Sequence, residues 1–290
     1  MSDKLRNFIV RTLSGAVLLL VVLGASFIGY MGYAALLLLI TVGGVLEFYN
    51  MARAKGVEPQ RCVGLLTAIP LFVVGAISGI KRLDGGCSCL DTYLSVAVIA
   101  TVLFFALIFF VEIFRNRQTP TLNIATTIMG VGYVALPMAL MAMVPLMLGG
   151  YDDWKPWCFI CYLFLVWGND VFAYLVGVTM GKHRMCERLS PKKSWEGFVG
   201  GVLGSLAMGM LGAYITGGSY GLWLGLAVVV SLSSVLGDLV ESMFKRDAGI
   251  KDSGDIIPGH GGILDRFDAL ILSAPCAFIY LYVASLISNI

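Results

Sequence analysis

Charge is scarce in this chain. Only 13% of its 290 residues are Asp, Glu, Lys or Arg, about half the share that a soluble domain carries. That scarcity excludes a soluble globular fold. The 58% of hydrophobic residues agrees, and most of the chain is expected to be transmembrane helix. The net charge of +2 excludes nothing alone, because in a membrane protein the placement of charge outweighs its sum. Nothing in the chain calls for a nucleic-acid partner.

Metal-binding patterns of the zinc type are missing too. There are two histidines and seven cysteines. Cys62, Cys158, Cys161, Cys186 and Cys276 lie in or beside apolar segments and read as packing residues. Cys158 and Cys161 have CxxC spacing but no second pair. Cys87 and Cys89 fall in a loop expected to face outward, where a disulfide can form. No cleavable leader is expected either. Lys4, Arg6 and Arg11 precede an apolar run, but no small-residue cleavage site opens into a polar chain.

Long apolar runs are what the sequence has in abundance. Spans are expected at 12–28, 32–49, 62–80, 92–114, 124–148, 157–180, 197–216, 222–244 and 269–287, judged against the roughly 20 residues that cross a bilayer. The expected fold class is therefore an all-α polytopic membrane protein of about nine transmembrane helices. Pro137 is expected to kink the fifth span, and the glycines of the seventh suit close helix packing. Glu47, at the end of the second, is expected to reach the interface.

Charge placement orients these spans. If they alternate from the N-terminus, all of the 20 Lys and Arg except Lys81, Arg82 and Lys155 fall on one side. The positive-inside rule makes that side cytoplasmic, with the N-terminus in and the C-terminus out. Functionally the chain divides into 1–122, with four spans, and 123–290, a catalytic region of five spans with cytoplasmic loops 181–196 and 245–266.

The chemistry concentrates in 242–268, SMFKRDAGIKDSGDIIPGHGGILDRFD. It combines Lys245, Arg246, Lys251 and Arg266 with Asp247, Asp252, Asp255, Asp265 and Asp268, and frames His260 with Gly259, Gly261 and Gly262. Glycines let backbone N–H groups approach an anion, cations neutralise phosphate oxygens, and aspartates hold hard cations such as Mg²⁺. The stretch reads as a site for a metal-bound polyphosphate. A charged connecting loop is the bland alternative.

Ionisable groups inside spans add to this, because burying charge in hydrocarbon is costly. In the eighth span Ser231, Ser234, Asp238, Glu241, Ser242 and Lys245 share a helical face. In the sixth, Asp170 and Tyr174 do so beside Asn169. Asp170 has a bland reading as a lone acid paired with a lysine. Asp238 and Asp265 lie in consecutive elements and can share or bridge one divalent cation or a pair. The loop 190–196 adds Lys192, Lys193 and the Ser194 hydroxyl. Alone it is juxtamembrane charge drawn to anionic lipid; beside 242–268 it reads as a phosphate contact.

Residues 242–268 also resemble the signature of the phosphatidate cytidylyltransferase, or CDP-diacylglycerol synthase, family. That pattern runs S-x-x-K-R-x4-K-D-x-G, an apolar residue, then P-x-H-G-G-x-x-D-R-x-D. Ser242, Lys245, Arg246, Lys251, Asp252, Gly254, Ile257, Pro258, His260, Gly261, Gly262, Asp265, Arg266 and Asp268 fill it without a gap. The segments 181–183, 190–197 and 237–242 resemble further family motifs. The run 168–172, GNDVF, departs from the pattern, where many relatives have an acid followed by small or hydroxyl residues. Specific likeness covers roughly the last 140 residues.

The resemblance implies that CTP and phosphatidic acid, a membrane lipid, react to give CDP-diacylglycerol and pyrophosphate, as a step of phospholipid biosynthesis. It implies Mg²⁺ on Asp238 and Asp265, with a second cation left open, and Asp238, Asp265, Lys251 and His260 in catalysis. Lys192, Lys193, Ser194, Lys245, Arg246, Arg266, Gly261, Gly262, Asn169 and Asp170 are the expected substrate contacts. His260 is read either as a donor to pyrophosphate or as a structural hydrogen-bonder. The expected location is a bacterial inner membrane with the active site facing the cytoplasm, and a homodimer is left open. The competing readings are a CTP-dependent lipid kinase of the polyprenol or phytol type and an ion-coupled transporter. Against the latter stand the concentration of charge at one face and the lack of an inverted repeat.

Overall fold

The structure is a computed structural model that describes residues 3–83, 88–150 and 153–288. Cys87, half of the expected outward disulfide, lies outside them. Nine helices among the described residues are long and apolar enough to cross a membrane, and the chain is an integral membrane protein. Each of the nine contains one expected span. Eight are single helices: α1 (Asp3–Ile28), α2 (Tyr30–Ala54), α3 (Arg61–Leu83), α4 (Ser88–Arg115), α8 (Pro156–Met180), α9 (Trp195–Thr216), α10 (Tyr220–Asp247) and α11 (Leu264–Ser288).

The fifth span is composite. It runs through α5 (Pro120–Gly130), a π-helical turn (Val131–Ala135), α6 (Leu136–Met141) and α7 (Val144–Gly149). The distortion expected at Pro137 is thus spread over two places. One is the π turn just before Pro137, and the other is the break before Pro145. Pro145 has no N–H, so the Met141 carbonyl lacks its helical donor. The Tyr33 hydroxyl of α2 supplies one at 2.6 Å, which is how a neighbouring helix absorbs a proline in a membrane.

By packing, the chain forms two compact units. The first comprises Met1–Ala142 and Phe244–Phe267, the second Met143–Met243 and Asp268–Ile290. Of the three cuts, one falls between α6 and α7 and the others inside α10 and α11. In the first unit Tyr33, Leu37, Tyr49, Ile108 and Met138 are fully buried. The buried carboxylate of Glu112 joins the ends of three spans. It accepts from Gln60 Nε2 at 2.6 Å, Arg115 at 2.8 Å and Asn123 Nδ2 at 2.8 Å. Three donors on one carboxylate meet the requirement that a buried acid be fully hydrogen-bonded.

In the second unit α8 packs on α9 through glycine. A Cβ on Gly200 would lie 2.5 Å from Val176 Cγ2, and one on Gly204 would lie 2.6 Å from Phe172 Cβ. Without side chains at those positions the two backbones approach closely, as the glycine-rich seventh span leads one to expect. Cys158 and Cys161 of α8 are wholly buried, in keeping with their reading as packing residues.

The basic loop between α8 and α9 folds further than the sequence indicates. Its two strands, β1 (Arg184–Cys186) and β2 (Ser190–Ser194), pair antiparallel with an irregular register. The hairpin closes on α9 at Glu196, whose carboxylate accepts from the Lys182 N–H at 3.1 Å and meets His183 Nδ1 at 2.5 Å. Ser194 is the N-cap of α9, its hydroxyl oxygen accepting from the Gly197 N–H at 3.1 Å.

Candidate active site

The signature loop of the first unit is organised around two carboxylates, its own Asp265 and Glu47 of α2. Asp265, in the first turn of α11, accepts from Lys245 Nζ at 2.7 Å through Oδ1. Its Oδ2 accepts from the Ser253 and Gly262 N–H groups, each at 2.8 Å. The Ser253 hydroxyl lies 3.0 Å from Asp265 Oδ2 and also 3.0 Å from Glu47 Oε2.

Glu47 differs from its expected place. It is not a solvated interfacial acid: the residue is 1% exposed. Its oxygens accept from the Ile263 N–H at 2.8 Å and the Leu264 N–H at 2.9 Å. These donors are at the N-terminus of α11, where a carboxylate meets both unsatisfied N–H groups and the positive end of the helix dipole. A side chain from α2 therefore caps a helix more than 200 positions later, a contact with no local sequence signal.

The glycines expected to approach substrate make room for these acids. A Cβ on Gly262 would sit 2.4 Å from Glu47 Oε2, and one on Gly254 2.8 Å from Glu47 Oε1. At Gly261, where φ is +83°, a Cβ would lie 2.6 Å from Asp265 Oδ2. The space a side chain would take at these glycines is occupied by carboxylates of the protein itself.

Beside this network the first unit has a polar cavity of about 540 Å³, walled by Arg11, Lys251, Asp252, Asp255, His260 and Arg266. Arg266 donates to the His260 carbonyl through Nε at 2.8 Å and a terminal nitrogen at 2.6 Å. His260 Nδ1 lies 2.7 Å from Ser14 Oγ. Partial burial, then the charges of Arg266 and Arg11, hold the His260 imidazole below its usual pKa, against the backbone hydrogen bond at Pro258. Arg246, also expected at a substrate, is exposed and donates to the Ile250 carbonyl at 3.3 Å.

The second unit holds another acidic cluster. One carboxylate oxygen each of Asp238, Glu241 and Asp268 lie within 4.8 Å of one another. Asp238 and Glu241 are one turn apart on α10, and Asp268 comes from α11. The two helices meet at Gly237, where a Cβ would be 2.6 Å from the Asp268 carbonyl oxygen. Three carboxylates from two tightly apposed helices form an all-oxygen donor set of the kind that hard divalent cations take. Asp238 also forms an ion pair with Lys193. Glu241 is legible in the sequence only as part of a polar helical stripe, and Asp268 only as one of the five aspartates of 242–268.

Lys193 and Asp238 stand on the wall of a second cavity, of about 510 Å³. Lys192, Asp170 and Ser194 line it too, together with apolar residues that include Val178 and Phe198. Asn169 is buried, and its Oδ1 accepts from the Ser231 hydroxyl at 2.6 Å, tying α8 to α10. Its amide lies 3.4 Å from Asp170 Oδ1. Asn169 thus orients a wall of the cavity as well as lining it.

Comparison with known proteins adds an independent line. The sequence matches the cytidylyltransferase family over residues 9–284. It is 32% identical over 278 residues to a phosphatidate cytidylyltransferase of Synechocystis sp., covering 86% of this chain and 87% of that one. A phosphatidate cytidylyltransferase of Staphylococcus aureus is 49% identical over 120 residues, 40% of this chain and 46% of its own. One of Mycobacterium bovis is 46% identical over 133 residues, 45% of this chain and 42% of its own.

Proposed function

This chain belongs to the cytidylyltransferase family, and we propose that it joins CTP to phosphatidic acid, giving CDP-diacylglycerol and pyrophosphate. The observation that carries this reading is the juxtaposition, within the second unit of a membrane-spanning scaffold, of a three-carboxylate cluster with a lysine-lined cavity whose wall includes Asp238. The attacking group is a lipid phosphate oxygen, already anionic, so no strong base is needed. The difficulty is to bring one polyanion onto another and to hold charge during in-line transfer at the α-phosphorus.

Each cavity suits one substrate. In the second unit Lys192 and Lys193 line one cavity with apolar Val178 and Phe198, which fits a phosphate attached to acyl chains. In the first unit Lys251, Arg266 and His260 line a polar cavity, which fits the polyphosphate. Asp238, Glu241 and Asp268 would hold Mg²⁺, with Asp265 a further candidate that Lys245 keeps charged-paired in this structure. Bound there, the cation would supply electrostatic stabilisation of phosphoryl oxygens. Lys193, paired with Asp238, would exchange that contact for a substrate phosphate. The protein's residues thus position the substrates and oppose their charge.

The test is incubation of the purified protein with CTP, phosphatidic acid and Mg²⁺. CDP-diacylglycerol and pyrophosphate are expected; phosphorylated lipid and CDP would mean a kinase instead. Lys193→Ala is expected to raise the KM for phosphatidic acid about tenfold, the effect of losing one charge-assisted contact. An unchanged KM would remove Lys193 from the lipid site.

The active face is proposed to be cytoplasmic, in a bacterial inner membrane, with the N-terminus inside and the C-terminus outside. The support is the positive-inside bias of the loops. A cysteine introduced at Lys193 should react in intact cells with a membrane-permeant maleimide and not with an impermeant one. Labelling by the impermeant reagent would invert the topology.

A further inference from the structure

The first helix makes a contact with the signature loop that nothing about helix α1 as a membrane span requires. Ser14 Oγ is 2.8 Å from the Val10 carbonyl and 3.1 Å from that of Arg11. The same hydroxyl lies 2.7 Å from His260 Nδ1, a hydrogen bond whose direction follows the tautomer of the ring. Two further approaches seat the same turn of α1 on the loop. A Cβ on Gly259, where φ is +73°, would lie 3.0 Å from Arg11 Cγ, and one on Gly15 would lie 3.4 Å from His260 Cε1 and Nε2. Arg11 itself stands on the wall of the 540 Å³ cavity with Lys251, Arg266 and His260.

We propose that the Arg11–Ser14 turn of α1 is a working part of the phosphate site. Arg11 adds a guanidinium to the cavity, and Ser14 is a positioning residue that orients the His260 ring towards a bound phosphate group. The proposal rests on the reading that this cavity takes substrate phosphate. The ligand chemistry is a phosphate oxyanion, supplied either by the CTP polyphosphate or by the lipid headgroup. The cavity's charged groups account for the need for a third cation. Arg11, Lys251 and Arg266 face Asp252 and Asp255, so without Arg11 the carboxylates balance the remaining two cations.

The experiment uses the full-length protein in detergent, with Arg11→Ala, Arg11→Lys, Ser14→Ala, Ser14→Thr and the control Arg53→Ala. Binding of inorganic pyrophosphate is read by the shift it causes in the thermal unfolding midpoint, without turnover, and KM is measured separately for CTP and phosphatidic acid. Arg11→Ala is expected to weaken pyrophosphate binding and raise the CTP KM about tenfold, with Arg11→Lys between it and the wild type. Arg53→Ala should change neither.

If the phosphatidic-acid KM alone rises, the site stands and its occupant is the lipid phosphate. Ser14→Ala is expected to displace the alkaline limb of the pH–rate profile, and Ser14→Thr to restore it. A merely structural hydroxyl would lower the unfolding midpoint and leave that limb in place. Unchanged pyrophosphate binding and unchanged KM values in Arg11→Ala overturn the proposal. If the wild type makes no CDP-diacylglycerol yet pyrophosphate binding still depends on Arg11, the reaction assignment fails and the phosphate site does not.

Discussion

Asp238→Asn is expected to lower kcat about a thousandfold while leaving the protein inserted, monodisperse and thermally unchanged. The magnitude follows from the several kcal/mol a bound cation contributes at a charged transition state, at about tenfold per 1.4 kcal/mol. Asp238 sits within 4.8 Å of two other carboxylate oxygens and takes part in no backbone cap, so its replacement removes a ligand and spares the fold. Asp268→Asn should behave alike. Asp265→Asn is expected to lose most activity too, but with a lower unfolding midpoint. Its carboxylate also binds Lys245 and the N–H groups of Ser253 and Gly262. The measurement is initial rate against Mg²⁺ concentration alongside a melting curve for each variant. Near-normal turnover of Asp238→Asn at saturating Mg²⁺ would take this residue out of the metal site.

Glu47→Gln should be the most destabilising single-atom change outside that cluster. The side chain is buried and receives two backbone N–H bonds and lies against the Ser253 hydroxyl. An amide in the same place turns an NH₂ towards groups that donate. Breaking such a buried network costs about 3–5 kcal/mol, and at ~2–4 °C per kcal/mol the midpoint should fall on the order of 10 °C. Activity should fall with it, because the same bonds hold the loop that carries Lys251 and His260. The control is Glu58→Gln. Glu58 is 46% exposed and pairs with Arg117 at 3.1 Å, and a surface pair contributes about 0–1 kcal/mol. Equal shifts for the two variants would show that Glu47 is not a cap.

Both predictions depend on residues that the sequence presents unequally. Asp238 is conspicuous as an acid inside a 28-residue apolar helix, because hydrocarbon makes such a residue costly without a purpose. Glu47 is an acid near a helix end, where an interfacial position costs little, so nothing distinguishes it from a solvated one. Ser14 and Arg11 are weaker still as signals. A serine bonded to its own helix and an arginine at a membrane boundary are what any first span carries.

The glycines of 259–262 show where a correct rule meets its limit. Their spacing announces that an anion comes close to the backbone. It does not say whether the anion is a substrate phosphate or, as the Glu47 and Asp265 contacts show, a carboxylate of the same chain.

By itself the sequence determined the membrane class, the number of spans and the place of the charged loops. Those follow from hydropathy and from the length needed to cross a bilayer, properties that are local along the chain. The motif letters likewise carried the family. The tertiary structure alone decided which carboxylates face one another, what fills the glycine-lined space, and that the first helix reaches His260. These depend on helices distant in sequence approaching at particular glycines, such as Gly237 against the Asp268 carbonyl. Close approach in a membrane is governed by packing and by satisfaction of buried polar groups between helices, and neither is written in the order of residues along a single span.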